Sequence, residues 1–458
     1  MANAAPDHAL SAFTALRDAV EAEYRLRTPA SGELAGRARQ LLPGGVSGNL
    51  RFFRPYPFYT RRGLGNEIED IDGNRYLDCF GMNGPLLLGH NHPAITAAMS
   101  ETRELGSLPL NPAILVAAAE EVVRTVPCAE RVRFLNTGTE AVIMACRYAR
   151  AFTGRSKIVK FLGHYHGQQD QFLFGIDGSA AVFSAGVPAQ VTESAIALPF
   201  LDLERVSTLL ASDPDIAAVI LDPAMHAGGL WGSNPAELEM LKRLCRENDV
   251  LLIFDEVITG CRLAAGGAQA YYGVTPDLAT FAKALGAGEK LAAVCGRADI
   301  FSVVDPAAAP GTPRVFQSGT VNDGAAALAA AARALSLYRE KEAGGEYGQL
   351  EQRAARLARG LEELFLRHRI RIQVNQLASM LQLYHCSAPV DFWSAQQLDY
   401  EPLELFYLAM INEGVVLSLP TSNHIYLSFQ HDDTAIQGIL DAAARVLERY
   451  DFSAAINC

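Results

Sequence analysis

Two side chains of this 458-residue chain, Asp255 and Lys283, have the types and surroundings for covalent carbonyl chemistry. Asp255 ends the apolar run 250–254, which has the length and composition of a strand buried on both faces. Ligands of open α/β sheets bind beyond the carboxyl ends of strands, so the acid is well placed. Lys283 follows the apolar stretch 278–282 and precedes Ala-Leu-Gly-Ala-Gly at 284–288. A lysine among apolar neighbours is easily depressed in basicity and can form a Schiff base. An aspartate to hold a protonated pyridine nitrogen and a lysine to hold an aldehyde carbon together describe a pyridoxal phosphate site. Taken singly, each has a plainer reading, a helix cap for Asp255 and a solvated face for Lys283.

A third feature weights the pair. The strand-like run 132–135 leads into Asn136-Thr137-Gly138-Thr139-Glu140 and then an Ala-rich helical stretch. Gly138 and Thr139 at a helix start present backbone amides, a hydroxyl and the positive end of the dipole, which suit a phosphate monoester. On its own such a start is an ordinary N-cap. Run 158–161 delivers Gly163-His164-Tyr165-His166-Gly167, and an aromatic just past a strand end can stack on a planar ring. His164 and His166 lack a carboxylate at metal-ligand spacing, and no metal is expected. Run 217–221 ends in Asp222-Pro223, another acid at a strand end or, equally, a turn cap.

These residues need a scaffold. Spacing predicts helices over 93–105, 112–126, 139–152, 202–211 and 235–248, alternating with strands at 132–135, 158–161, 217–221, 250–254 and 291–295. Such alternation makes a mostly parallel sheet covered by helices on both faces. Upstream come helices over 8–27 and 31–42, an irregular aromatic run at 52–59 and a hairpin over 66–78 that turns at Asp72-Gly73-Asn74. After Thr320 the pattern changes to long helices at 323–341 and 346–368, strands at 380–384, 415–419 and 425–429, and a last helix at 432–449. The expected fold class is α/β. A large domain with a mostly parallel sheet spans 65–322, and a smaller α+β domain spans 323–458 with segment 1–64 packed against it.

Composition narrows the function. The chain is 50% hydrophobic and 20% charged, as soluble globular proteins are. A net charge of −12 without a basic stripe argues against a nucleic-acid surface. Eight cysteines are scattered without a CxxC pair, so buried, reduced thiols are expected. The N-terminus carries Asp7, Asp18 and Glu21 and no apolar core segment, unlike a signal peptide. No apolar run reaches the ~20 residues of a membrane span. A cytoplasmic protein without a membrane partner is expected. The Gly-Thr loop lacks the Lys-Ser/Thr of a P-loop, and no GxGxxG opens a helix after a first strand.

As a set, NTGTEA (136–141), KFLGHYHG (160–167), LLIFDEVITGCR (251–262), GGAQAYYGVTPDLATFAK (266–283) and QSGT (317–320) resemble class III aminotransferases. Within them the glutamate-1-semialdehyde 2,1-aminomutase-like branch is nearest, with β-amino-acid aminotransferases close. PGGVS (43–47), DGNRYLD (72–78) and LGHNHP (88–93) fit the same pattern in the same order. The resemblance implies the fold-type I pyridoxal phosphate architecture. It implies that Lys283 forms the internal aldimine and shuttles the proton between the substrate carbon and C4′ of the cofactor. Asp255 would pair with the pyridinium nitrogen, while Val257 and Tyr165 pack on opposite ring faces. Gly138 and Thr139 would hold the phosphate, His166 would neighbour the ring, and Asp222 would lie on the O3′ side. Thr320 would reach the phosphate of the neighbouring subunit, which makes a homodimer the smallest expected assembly.

Departures from the family pattern bear on the substrate. Arg51 falls where the aminomutases carry a carboxylate-binding arginine, and an arginine fork is the natural clamp for that group. β-Amino-acid aminotransferases place theirs where this chain has Gly48. Asn83 replaces a pocket tryptophan of the aminomutases, which implies a roomier or more polar pocket. Asp222 stands for a glutamate, Glu289-Lys290 put charge after the Gly-rich turn, and 417–427 lacks an aminomutase glutamate. These departures favour ping-pong transfer from an amino-acid donor to a carbonyl acceptor, for instance one of specialised metabolism. Intramolecular transfer by an aminomutase is the alternative.

Overall fold

The computed structural model describes residues 5–106 and 110–453; the side chain of Asp7 and all of Cys458 fall outside it. The chain divides into two compact units, Met1–His92 with Gly348–Cys458, and Pro93–Tyr347. The first unit opens with helices Ala5–Arg27 and Pro29–Ala38, followed by β1 (Thr60–Leu64), β2 (Glu67–Asp70) and β3 (Arg75–Asp78). The second holds β4 (Arg131–Leu135), β5 (Lys157–Phe161), β6 (Ala195–Leu198), β7 (Ile216–Leu221), β8 (Leu251–Glu256), β9 (Leu278–Phe281) and β10 (Ala292–Gly296). The first resumes with β11 (Ile372–Leu377), β12 (Met380–His385), β13 (Val415–Val416) and β14 (Ile425–Tyr426).

All strands of the second unit join one sheet in the order β4-β10-β9-β8-β7-β5-β6. Neighbours from β9 across to β6 are parallel, whereas β10 is antiparallel to both β9 and β4. Every residue of β7, β8, β9 and β10 is buried, as befits a sheet covered on both faces. Helix Gly138–Thr153 turns Ala141, Val142, Ala145 and Ala149 inward and packs across β10, β9 and β7. Its small side chains let the backbone approach the strands closely. β8 runs two residues past the apolar stretch, so Asp255 lies within the strand and pairs in register with Thr280 of β9.

In the first unit, the β2–β3 hairpin is antiparallel as expected. Its turn is closed by the fully buried Asp70 carboxylate, which accepts from Asp72 N (3.0 Å), Asn74 N (2.8 Å) and the Tyr76 hydroxyl (2.6 Å). Gly73 supplies the left-handed position at φ 88°. β3 then pairs in parallel with β13, which makes a four-stranded sheet β1-β2-β3-β13, and β11-β12-β14 make a second sheet. The strands expected at 415–419 and 425–429 are two residues each.

By contact the chain divides at His92 and Tyr347, whereas the sequence pattern puts divisions after 64 and 322. Pairing of β3 with β13 holds the hairpin with the C-terminal segment. Helix Ala325–Ala343 packs on helices Pro93–Glu104 and Ala113–Thr125, which keeps it in the second unit. Among the described residues, seven cysteines carry free thiols and six of these are buried. No described helix is long and apolar enough to cross a membrane.

Candidate active site

The end of β8 places two acids side by side with different tasks. Glu256 turns into the protein and accepts the amides of Ala268 and Gln269 (3.2 Å to the latter), capping helix Ala268–Tyr272. Asp255 is buried too, and its Oδ2 lies 2.7 Å from His166 Nδ1. The Thr280 hydroxyl donates to Oδ1 at 3.1 Å and the Val257 amide at 3.2 Å. A carboxylate only accepts, so His166 donates from Nδ1. Burial lowers the His166 pKa against the pull of Asp255, which keeps the ring neutral with Nε2 as an acceptor. That Nε2 is buried and has no hydrogen-bond partner among the described residues.

The loop after β5 carries His166 and Tyr165. His164 stacks on His166 with centroids 5.7 Å apart, and its Nε2 lies 3.0 Å from the Asp222 carbonyl. Burial pushes the His164 pKa down to about 3, with His166 adding to the effect. Tyr165 is 42% exposed; partial burial and then the Asp255 charge raise its pKa. Asp222 accepts the amides of Ala224 (3.0 Å) and His226 (2.9 Å), one on each oxygen, so its bonds are those of a turn cap. Burial pushes its pKa up to about 7, with Asp255 adding and Lys283 opposing.

Lys283 opens the short 3-10 turn Lys283–Gly286, one residue beyond β9, at a left-handed φ of 46°. Such a backbone costs about 1–3 kcal/mol for a residue with a side chain. Burial, then the charge of Arg262, lowers its pKa to about 8, against the pull of Asp255 and Asp222. Arg262 is itself almost fully buried. Lys283, Asp255 and Asp222 therefore share one electrostatic neighbourhood.

At the helix start, Thr137 and Glu140 form a capping box that engages the amides of Asn136, Thr137 and Glu140. The amides of Gly138 and Thr139 have no partner within the helix by its geometry. A Cβ on Gly138 would lie 2.9 Å from both Val257 methyls, and one on Gly167 would lie 2.7 Å from Thr139 Oγ1. Helix start, β8 end and the histidine loop thus meet through glycine contacts. Thr320 is exposed on the loop tied down by the Asn136–Asn322 hydrogen bond (2.8 Å).

Arg51 and Asn83 belong to the first unit, where they line a cleft of ≈ 780 Å³ with Tyr59, Arg61, Asp78 and His90. Arg51 is exposed at the end of the turn Asn49–Arg51. Asn83 has φ 68° and accepts the Tyr426 hydroxyl at 2.8 Å. Sequence reading passed over Thr280, Arg262 and Lys160. For Thr280 and Lys160 the missed signal is one polar residue inside a strand that is otherwise apolar at its carboxyl end. Among the described residues, no three His, Cys, Asp or Glu cluster to hold a metal ion.

The family model for class-III aminotransferases matches residues 53–381. The chain belongs to that family. A glutamate-1-semialdehyde 2,1-aminomutase of Methanocaldococcus jannaschii is 37% identical over 433 residues, which cover 92% of this chain and 99% of that protein. Among solved structures, an omega-transaminase from Sphaerobacter thermophilus aligns with a TM-score of 0.84 at 32% identity, over 92% of this chain and 98% of its own. A transaminase with PLP bound aligns with a TM-score of 0.84 at 28% identity, over 94% and 99%. The fold of this class-III aminotransferase is the fold-type I architecture, and its cofactor is pyridoxal phosphate. The residues present fit that group. They offer a carboxylate backed by two side-chain donors, a lysine of lowered basicity, a helix start with unused amides, and the unbonded His166 Nε2.

Proposed function

We propose that this class-III aminotransferase moves an amino group between two carbons of one substrate, the reaction of a glutamate-1-semialdehyde 2,1-aminomutase. Moving the amino group from C2 to C1 turns the semialdehyde into 5-amino-4-oxopentanoate. The observation that carries this reading is the end-to-end similarity to the M. jannaschii aminomutase, 37% over 92% of this chain and 99% of that protein. It reverses the balance drawn from Asn83, Glu289-Lys290 and 417–427. A two-substrate transaminase is the second reading, supported by the 32% identity to the S. thermophilus omega-transaminase and by the polar Asn83–Tyr426 pair.

Bound pyridoxal phosphate supplies an aldehyde for amines and a ring that takes up the electrons of a broken C–H bond. Lys283 Nζ anchors that aldehyde and holds, then returns, the proton of the substrate carbon. Its pKa of about 8 leaves part of the amine unprotonated near neutrality. Asp255 pairs with the ring nitrogen, and the His166 and Thr280 donors keep its carboxylate aimed. Val257 and Tyr165 flank the ring, Gly138 and Thr139 hold the phosphate, and Asp222 adds negative charge nearby. Thr320 serves the site of the partner subunit, so the working assembly is a homodimer. Arg51 clamps the substrate carboxylate and Asn83 lines the substrate pocket.

The test gives the purified, cofactor-loaded protein glutamate-1-semialdehyde with no acceptor, and in parallel glutamate, alanine, β-amino acids and ω-amines. Turnover of the semialdehyde alone supports the proposal. An inert semialdehyde, with the cofactor converted to its amine form by another donor and restored by a carbonyl acceptor, sinks it in favour of the second reading. A protein that takes up no pyridoxal phosphate overturns both.

A further inference from the structure

Lys160 lies in β5, fully buried between β6 and β7, where Ala197 is its register partner. Its Nζ lies 3.0 Å from the His164 carbonyl, 3.2 Å from that of Phe172 and 2.7 Å from that of Phe174. An ammonium carries three protons and no acceptor, so the three carbonyls use it completely. The Phe174 ring centroid is 5.1 Å away, within cation–π range. No carboxylate is among its bonding partners, and burial lowers its pKa to about 7.

We propose that Lys160 is a positioning residue whose ammonium, bonded to the carbonyls of His164, Phe172 and Phe174, fixes the loop that presents Tyr165 and His166. The inference rests on the reading of those two side chains as cofactor contacts. Among the described residues, none of the three carbonyls accepts a loop hydrogen bond from a backbone amide, so without the ammonium all three are left unmet in the interior. The clasp gathers both limbs of the loop. On one limb it holds the peptide between His164 and Tyr165, two residues before the His166–Asp255 bond. On the other it holds Phe172, whose ring meets His166 edge-on with centroids 5.7 Å apart. The loop bonds Gly163 N to Gly175 O and Phe183 N to Leu173 O (both 2.8 Å) close the loop but do not touch residues 164–166. The positive charge also adds to burial in keeping the His164 and His166 rings neutral.

The test compares wild type, Lys160→Met and Lys160→Arg. Hydrogen exchange is measured on the cofactor-free protein, and affinity and visible circular dichroism on the protein with pyridoxal phosphate. Expected for Lys160→Met is exchange about tenfold faster over 162–174 with β7 and β8 unchanged, cofactor binding weaker by about tenfold, and an altered dichroic band. Lys160→Arg restores part of each. Should Lys160→Met not fold, Lys160→Gln is read the same way. The proposal is overturned by unchanged loop exchange, by faster exchange spread over the whole sheet, or by a faster loop with wild-type affinity and dichroism. If wild type itself takes up no cofactor, the reading of the site fails and loop exchange alone decides on the clasp.

Discussion

At Lys283, burial and the Arg262 charge outweigh two carboxylates and bring the pKa down from 10.5 to about 8. An amine attacks a carbonyl only when unprotonated, so the rate of pyridoxal phosphate uptake by the cofactor-free protein should rise with pH and level off above about 8. Below that midpoint it should fall about tenfold per pH unit. Stopped-flow absorbance reads this directly, and a midpoint near 10 would show that the lysine is not perturbed. Thr280→Val keeps the shape of β9 and removes one donor from Asp255. A lost hydrogen bond to a charged group is worth about 1.5–3 kcal/mol, so equilibrium titration should show cofactor binding weaker by about tenfold or more. Asp255 and Lys283 stand out in the sequence as candidates because each interrupts or follows an apolar run and their types as a pair point to pyridoxal phosphate. Thr280 and Lys160 do not, because a single polar residue within such a run has no pattern of its own; only the folded register shows what it faces.

Among the elements, the helix start is held to its neighbours by the absence of side chains. Gly167 has φ 86°, and a methyl group on its Cα would stand 2.7 Å from Thr139 Oγ1, so Gly167→Ala is strained in both backbone and space. It should destabilise the second unit by about 1–3 kcal/mol and weaken cofactor binding; thermal unfolding with and without pyridoxal phosphate separates the two effects. The alternation of helices and strands was readable from apolar periodicity, down to ends within a few residues. The reversed direction of β10 was not, since direction is set by pairing with β9 and β4 and leaves no mark on composition. The apolar stretch 278–282 reads in the sequence only as the lead-in to Lys283, whereas residues 278–281 form β9: so short a run does not by itself tell strand from buried helix. Helix Glu401–Asn412 is buried on nearly every side and so lacks the polar stripe that announces a helix.

For the molecule as a whole, Leu110 (91% exposed), Phe316 (82%) and Val321 (68%) leave the second unit with large apolar side chains in solvent. Singly exposed apolar side chains are ordinary on a monomer, so the covering of these three by a partner is a prediction of the proposed homodimer. Sedimentation should find a dimer, and Phe316→Asp should shift it toward monomer and lower cofactor retention together. A monomeric wild type with full activity would remove the role given to Thr320. The pairing of β3 with β13, from the far end of the chain, leaves no local mark in the sequence. That pairing has a consequence in time. During synthesis the second unit has every strand of its sheet in hand once Gly296 has emerged, whereas β3 keeps an open edge until Val415 and Val416 follow. An unpaired edge is where strands from other chains add, so the hairpin at residues 60–78 is the part of the nascent protein longest exposed to misassembly.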